Sequence, residues 1–382
     1  MNDIIQWIFF DIGSTLVDEE AAYRHRIRDM IQNTPVTFDQ FYEKRIQYAK
    51  AGYNGDQKAI EYFDLKKTPW HSEDEVPFED CKRVLQALYD RGYKLGIIAN
   101  QEPGAKERLD VWGLGSFSSV IASSAEMGVS KPDAEIFLRA LDMAGCRPEN
   151  AVMVGDRLDN DIRPANKLGM MTIRIRKGLA VYMKPTCGAE IPDHTVDTLS
   201  DIPGILSNCL IVHQIKAFEQ INGRKLMDIY AEGNYENTDY FYPDMKDKEE
   251  AVHKVEADFL EYIKTDFFKS DGNEYWILED NGVWISAVRL YFLQKGQYYL
   301  EALETHPGFR RKGYAAKLLN AMIGQLKGMG SFSICNCVSK KNEASVRTHL
   351  KCGFQIVSEE GKDYLTGETD SRDYGMRFEY EA

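Results

Sequence analysis

Five short apolar runs, set apart by helix-length polar segments, constrain this chain more than any other feature. They are WIFFD (7–11), KLGIIAN (94–100), SVIAS (119–123), AVMVGD (151–156) and MTIRIR (171–176). Strands that are apolar throughout are covered on both faces, as in a parallel sheet clothed by helices. The pattern predicts an open doubly wound α/β sheet over the first half of the chain. Between the first and second runs lies a polar, helix-rich stretch from Glu19 to about Glu75. In it Thr37 and Gln40 have the spacing of a capping box for FDQFYEKRIQYAKAG. Further on, FEDCKRVLQALYDRGY places Val84, Leu85 and Leu88 on one helix face and stops at Gly92.

This rhythm ends around SDIPGILSNCLIVHQ, and the expected domains are 1–208, with a helical cap at about 18–76, and 209–382. The second half opens with an acidic helical region, Lys225 to about Phe268. Three strand candidates follow, EYWILED, GVWISAVRLYFL and QYYLEALET, whose short connections suggest an antiparallel meander. A basic glycine-containing turn and an amphipathic helix come next, so this half reads as α+β.

Composition excludes several functions. A net charge of −13 and a pI near 5.2 argue against nucleic-acid binding and against an anionic membrane surface. The apolar runs are strand-sized, which predicts no membrane-spanning helix, and the N-terminus lacks the basic region of a signal peptide. Seven scattered cysteines without a CxxC pair read as reduced thiols rather than a zinc site or disulfide framework. A cytoplasmic protein is expected, with a homodimer compatible with the sequence.

In a doubly wound sheet the carboxyl ends of the strands converge on the ligand site. That would bring together Asp11, Ala99-Asn100, Lys131 in SKPDAEIF, and Asp156 and Asp161 in VGDRLDND. Taken singly, each acid reads as a turn or cap residue and the lysine as a solvated loop charge. Together, three carboxylates and a lysine could hold a hard divalent cation and balance a phosphoryl group. FFDIGSTLVD, GVSKPDAEIF and VGDRLDND resemble, in order and spacing, the first, third and fourth motifs of the haloacid dehalogenase-like (HAD) superfamily, over about residues 5–205.

The resemblance implies a Rossmann-like HAD domain with a small helical cap, Asp11 as nucleophile and Lys131 as charge-balancing lysine. It also implies that Asp11, Asp156 and Asp161 hold Mg²⁺. Two residues depart from the phosphatase pattern. Gly13 replaces the Asp that protonates the leaving oxygen, and Ala99 replaces a Ser or Thr that holds a phosphate oxygen. General acid catalysis contributes about 10²–10⁴ in rate, so reduced or altered phosphohydrolase chemistry is expected, most of all for alkyl phosphates.

In the second half, LEALETHPGFRRKGYAAKLL runs from a strand through a basic turn into a helix. Backbone N–H groups at a helix N-terminus form an anion cradle. Arg310, Arg311 and Lys312 add charge, while Gly313 and Ala315 clear space; alone, the same turn reads as a solvated basic cap. With NEASVRTHLKCGF downstream, it resembles the GCN5-related N-acetyltransferase (GNAT) superfamily over about residues 212–382. Arg310, Gly313 and Ala315 match one signature, and Asn342, Lys351, Gly353 and Phe354 the other.

That resemblance implies acetyl-CoA, or another acyl-CoA, as cofactor. Backbone groups of Leu303 and Thr305 would bind the pantetheine arm. The stretch Arg310, Arg311, Lys312, Gly313, Tyr314 and Ala315 would bind the pyrophosphate, with Asn342 beside the cofactor. His349 occupies the position of the family's acid, and a packed helix residue is the alternative. Glu301 is the candidate base, with Glu304 in its place if a bulge reverses the strand's facing; a base acting through water remains open.

The expected function is N-acyl transfer to an amine of a small molecule or peptide, with the HAD-like half recognising or processing a phosphorylated ligand. The alternatives are a bifunctional enzyme with an active Mg²⁺-dependent hydrolase and a non-catalytic ligand sensor. A family joining the same two folds loads a glyceryl group onto a carrier protein, but its first motif carries the Asp that Gly13 replaces.

Overall fold

The computed structural model describes residues 4–207 and 209–382. The chain divides into two compact units, one of residues 5–208 and one of Cys209–Ala382 joined by Ile4.

The first unit is built on six parallel strands: β1 (Trp7–Phe10), β2 (Lys94–Ala99), β3 (Ser118–Ser123), β4 (Ala151–Gly155), β5 (Met171–Ile175) and β6 (His194–Val196). Their order is β3-β2-β1-β4-β5-β6. β1 is therefore central, at the point where strand order reverses. Every residue of β1 and β4 is buried, as their unbroken apolar runs require. One side of the sheet packs Phe9, Ile98, Val120 and Met153 against Phe137 and Leu141 of a covering helix, Ala134–Ala144.

After Asp11 the chain turns tightly, with the Thr15, Leu16 and Val17 amides all directed at the Ile12 carbonyl. A short ribbon pairs Val17–Asp18 with Val76–Pro77 and closes the base of the insertion. The insertion holds α1 (Glu20–Ile31), α2 (Phe38–Lys50) and α3 (Gly55–Tyr62) around Ile27, Met30, Phe41 and Ala59. Thr37 caps α2, and the Gln40 side chain returns the bond to the Thr37 amide.

The second unit is a seven-stranded sheet. Its strands are β7 (Leu210–Ile215), β8 (Glu274–Asp280), β9 (Val283–Gln294), β10 (Gln297–Thr305), β11 (Phe332–Ser339), β12 (Gln355–Ser358) and β13 (Asp373–Tyr380). The order is β12-β13-β11-β10-β9-β8-β7, antiparallel except for the β10–β11 pair. β8, β9 and β10 form the expected meander. β7 is an addition: the run LIVHQI, at the place where the α/β rhythm stops, is the edge strand of this sheet. Helices α4 (Gly223–Phe241) and α5 (Lys248–Tyr262) precede β8, and α6 (Tyr314–Lys327) and α7 (Glu343–Lys351) flank β11. Trp276, Leu278, Leu318, Met322, Ile334 and Phe354 share one core. The fold class is mixed α/β, doubly wound in the first unit and α+β in the second.

Among the described residues no disulfide joins any of the seven cysteines. Among the described residues no helix is long and apolar enough to cross a membrane.

Candidate active sites

In the first unit the strand ends deliver their side chains to one place. Asp11 follows β1, Asn100 follows β2, Asp156 follows β4, and Asp161 lies one turn further on. Lys131, on the loop after β3, joins them. Its ammonium donates to Asp11 Oδ1 at 2.7 Å and to Asp161 Oδ1 at 2.5 Å, and the residue is only 4% exposed. The Asn100 side chain fixes this loop: its Nδ2 donates to the Lys131 carbonyl at 2.9 Å, and its Oδ1 accepts from the Lys131 amide at 2.7 Å. Asp161 Oδ2 accepts from the Arg157 amide at 3.0 Å. Gly155 makes room for that carboxylate, because a Cβ there would lie 2.4 Å from Asp161 Cγ.

Buried acids outnumber the lysine. Oxygens of Asp11, Asp156 and Asp161 lie within 4.8 Å of one another, with Asp161 fully enclosed. Burial and the neighbouring carboxylates push Asp156 well above the usual carboxylate range. Burial also raises Asp161, to about 6, against the lowering influence of Lys131. An all-oxygen donor set with surplus negative charge fits Mg²⁺, which takes one or two carboxylates and fills its remaining positions with other oxygens. Asp11, Asp156 and Asp161 are the residues that would hold it.

A cavity of about 870 Å³ opens over this cluster toward Tyr23, Asn54 and Gln57 of the helical insertion. Ala99 is fully buried and offers the cavity no hydroxyl. Gly13 presents something the sequence reading did not anticipate. The Glu19 carboxyl fills the space beside it: a Cβ on Gly13 would lie 2.5 Å from Glu19 Oε1 and 2.9 Å from Oε2. Glu19 stands just before α1 but does not cap it; its Oε2 accepts instead from Ser14 Oγ at 2.9 Å. No sequence pattern marks Glu19, since in the linear chain it is one of two glutamates at a helix start.

In the second unit β10 pairs with β11 only from Gln297 to Tyr299, after which the two strands part. The cause is a bulge: Ala302 and Leu303 stand opposite the single residue Val288, and Ala302 takes a φ of +51°. Tyr230 steadies the bulge by donating its hydroxyl to the Ala302 carbonyl at 2.8 Å. Leu303 and Thr305 thus lie on the portion of β10 that β11 does not cover.

The chain then turns through Arg310 to Gly313 into α6. Gly313 has a φ of +80°, and its missing Cβ would meet nothing within 4 Å. Among the described residues no acceptor meets the amides of Arg311, Lys312, Gly313, Tyr314 or Ala315. The Arg310 side chain is occupied: its Nε donates to the Thr305 carbonyl at 3.2 Å, and its other nitrogens pair with Glu304 and Glu232.

Both candidate bases are in ion pairs. Glu301 lies 3.2 Å from Arg289, and Glu304 accepts from Arg310 and from the Thr305 amide at 3.0 Å. Asn342 caps α7 by accepting from the Ser345 amide at 3.0 Å.

His349 is 1% exposed and stacks edge-on against Phe354. Its Nδ1 lies 2.9 Å from the Ser345 carbonyl, so this nitrogen carries the proton, and Nε2 is buried with no partner among the described residues. Burial lowers its pKa. A neutral ring in this tautomer offers Nε2 as an acceptor only, which favours the packed-residue alternative over the acid.

Comparison with known proteins identifies the family of each domain. A haloacid dehalogenase-like hydrolase family model matches residues 8–175, and an acetyltransferase (GNAT) family model matches residues 235–354. A glyceraldehyde 3-phosphate phosphatase of Methanopyrus kandleri is 31% identical over 221 residues, covering 51% of this chain and 94% of that protein. One from Pyrococcus furiosus is 32% identical over 196 residues, covering 46% and 82%. A HAD phosphatase structure from Thermococcus onnurineus aligns over 54% of this chain and 99% of its own with a TM-score of 0.41 and 23% identity. The chain belongs to the haloacid dehalogenase-like hydrolases through its first unit and carries a GNAT-family acetyltransferase domain in its second.

Proposed function

We infer that this is a bifunctional enzyme, a phosphohydrolase in its first unit and an acyl-CoA-dependent N-acyltransferase in its second. The observation that supports the hydrolase is the Lys131 ammonium joining half-buried Asp11 to buried Asp161, with Asp156 beside them. Asp11 attacks the phosphorus of a small phosphate ester; an O–P bond forms to its carboxylate as the ester O–P bond breaks. Lys131 balances charge at the nucleophile, and water then cleaves the aspartyl phosphate. When bound, Mg²⁺ would neutralise phosphoryl oxygens. This reading takes up the bifunctional alternative that the sequence left open, and the departures at Gly13 and Ala99 remain part of it. The relatives from Methanopyrus kandleri and Pyrococcus furiosus are named as glyceraldehyde 3-phosphate phosphatases, which favours a small phosphorylated metabolite here.

The acyltransferase reading draws on the parting of β10 from β11 beside an open helix N-terminus. The uncovered edge at Leu303 and Thr305 would take the pantetheine arm, and the amides of Arg311 to Ala315 the pyrophosphate. Glu301, steadied by Arg289, is the proposed base toward an amine of a small molecule or peptide. The test separates the two activities. Asp11→Asn abolishes phosphate release from acetyl phosphate and leaves acetyl transfer to an amine panel intact. If wild type releases no phosphate from acyl or aryl phosphates, the hydrolase half is refuted.

A further inference from the structure

The phosphohydrolase reading leaves a chemical gap. Alkyl phosphates expel a poor alkoxide, which needs a proton as the bond breaks, and Gly13 has none to give. The first unit supplies a carboxyl at that place by another route. The turn on Ile12 reverses the chain, and the ribbon of Val17–Asp18 with Val76–Pro77 fixes where it returns. Glu19 then reaches back across six residues to lie against the bare Gly13 backbone. An aspartate at 13 would carry its oxygens about 2.4 Å from its Cβ, from standard bond lengths. The Glu19 oxygens stand 2.5 and 2.9 Å from that same point. An aspartate at 13 and a glutamate so placed exclude each other sterically.

We propose that the Glu19 carboxyl, seated in the side-chain space that Gly13 leaves open, is the proton donor to the leaving oxygen of a phosphate monoester held at Asp11. This rests on the phosphohydrolase reading above. Ser14 holds Oε2 and so orients the group, while Oε1 has no partner among the described residues. Glu19 and Asp11 line the same cavity. The proton passes from Glu19 to the ester oxygen as the O–P bond breaks and the Asp11 O–P bond forms. The resulting Glu19 carboxylate takes a proton from the water that attacks the aspartyl phosphate, and the acid is restored. The group's environment agrees: burial, with like charge from Asp11, Glu75 and Asp56, pushes its pKa up to about 8 against the lowering bond from Ser14.

The test uses the full-length protein with Mg²⁺ and two probes, ethyl phosphate and p-nitrophenyl phosphate, whose phenolate departs without a proton. Glu19→Gln keeps the shape and an acceptor for Ser14. It lowers kcat/KM on ethyl phosphate about 10²–10⁴-fold and on p-nitrophenyl phosphate less than about tenfold. Gly13→Asp combined with Glu19→Ala restores the ethyl phosphate reaction. An unchanged ratio between the probes in Glu19→Gln, whether both rates hold or both fall, overturns the role of Glu19 and leaves the hydrolase standing. A wild type silent on both probes overturns the hydrolase reading and this one with it.

Discussion

Lys131→Met tests the arrangement of the first site without any substrate. The lysine is 4% exposed and holds two carboxylates at 2.7 and 2.5 Å. Methionine has a similar length and fills the slot, so the loss is electrostatic rather than a cavity. Breaking a buried ion pair by removing one partner costs about 3–5 kcal/mol, because the remaining charge is left uncompensated. For a unit of this size 1 kcal/mol moves Tm by about 2–4 °C, so a drop of roughly 6–20 °C follows.

The pH dependence has a definite sign. Lys131 lowers Asp161, whose pKa nevertheless stands raised at about 6. Without the lysine that carboxyl rises further above its unfolded value. Stability linked to a raised pKa is fully present below the unfolded value and lost as pH rises through the folded one. The deficit of the variant is therefore small near pH 4 and grows toward pH 7.

The assay is scanning calorimetry of the metal-free full-length chain at several pH values, reading the transition that Asp11→Asn also shifts. Mg²⁺ returns part of the lost stability, since a ligand that binds only the folded state stabilises it by mass action. A variant within about 1 kcal/mol of wild type at pH 7 would refute the reasoning, because the two carboxylates would then not depend on the lysine.

Two further outcomes concern the second unit. Gly313→Glu abolishes acetyl-CoA binding in a calorimetric titration: it puts an anion at an anion-binding helix end and a side chain where φ is +80°, which costs about 1–2 kcal/mol. Retained affinity would remove the cradle from the cofactor site. His349→Leu keeps acetyl transfer to within about tenfold of wild type, where loss of a general acid would cost about 10²–10⁴. Because the folded-state pKa of His349 is depressed, its contribution is present above the unfolded pKa and lost as pH falls, so the stability gap between wild type and His349→Leu narrows from pH 7 to pH 5. A gap that does not change with pH, or a collapse of turnover, would contradict the packed, neutral ring.

Much of the architecture was legible in local sequence pattern. The five apolar runs became parallel strands (buried except at the Ser118–Ser123 edge strand), Thr37 and Gln40 became a capping box, and the meander lies where its apolar runs and short turns put it. These features depend on burial period and turn chemistry, which operate over a few residues. β7 escaped notice because a lone apolar run at the junction of two patterns carries no sign of which sheet it joins. The Ala302 bulge was foreseen only as a condition, since a single extra residue leaves the local composition unchanged.

By itself the sequence determined which chemical groups would meet: a nucleophilic acid, metal-side acids and a lysine at strand ends, and a basic glycine turn at a helix start. Only the tertiary structure decided how they are partnered. Lys131 is 120 residues from Asp11, yet their contact organises the first site. His349 shares a helix with Asn342 but is sealed against Phe354. Gly13 reads in the linear chain as a lost carboxylate, while in the folded chain it is the space that admits Glu19. The reason is physical: the type of a side chain is a local property, but its neighbours, its burial and its proton affinity are set by segments that return from far along the chain.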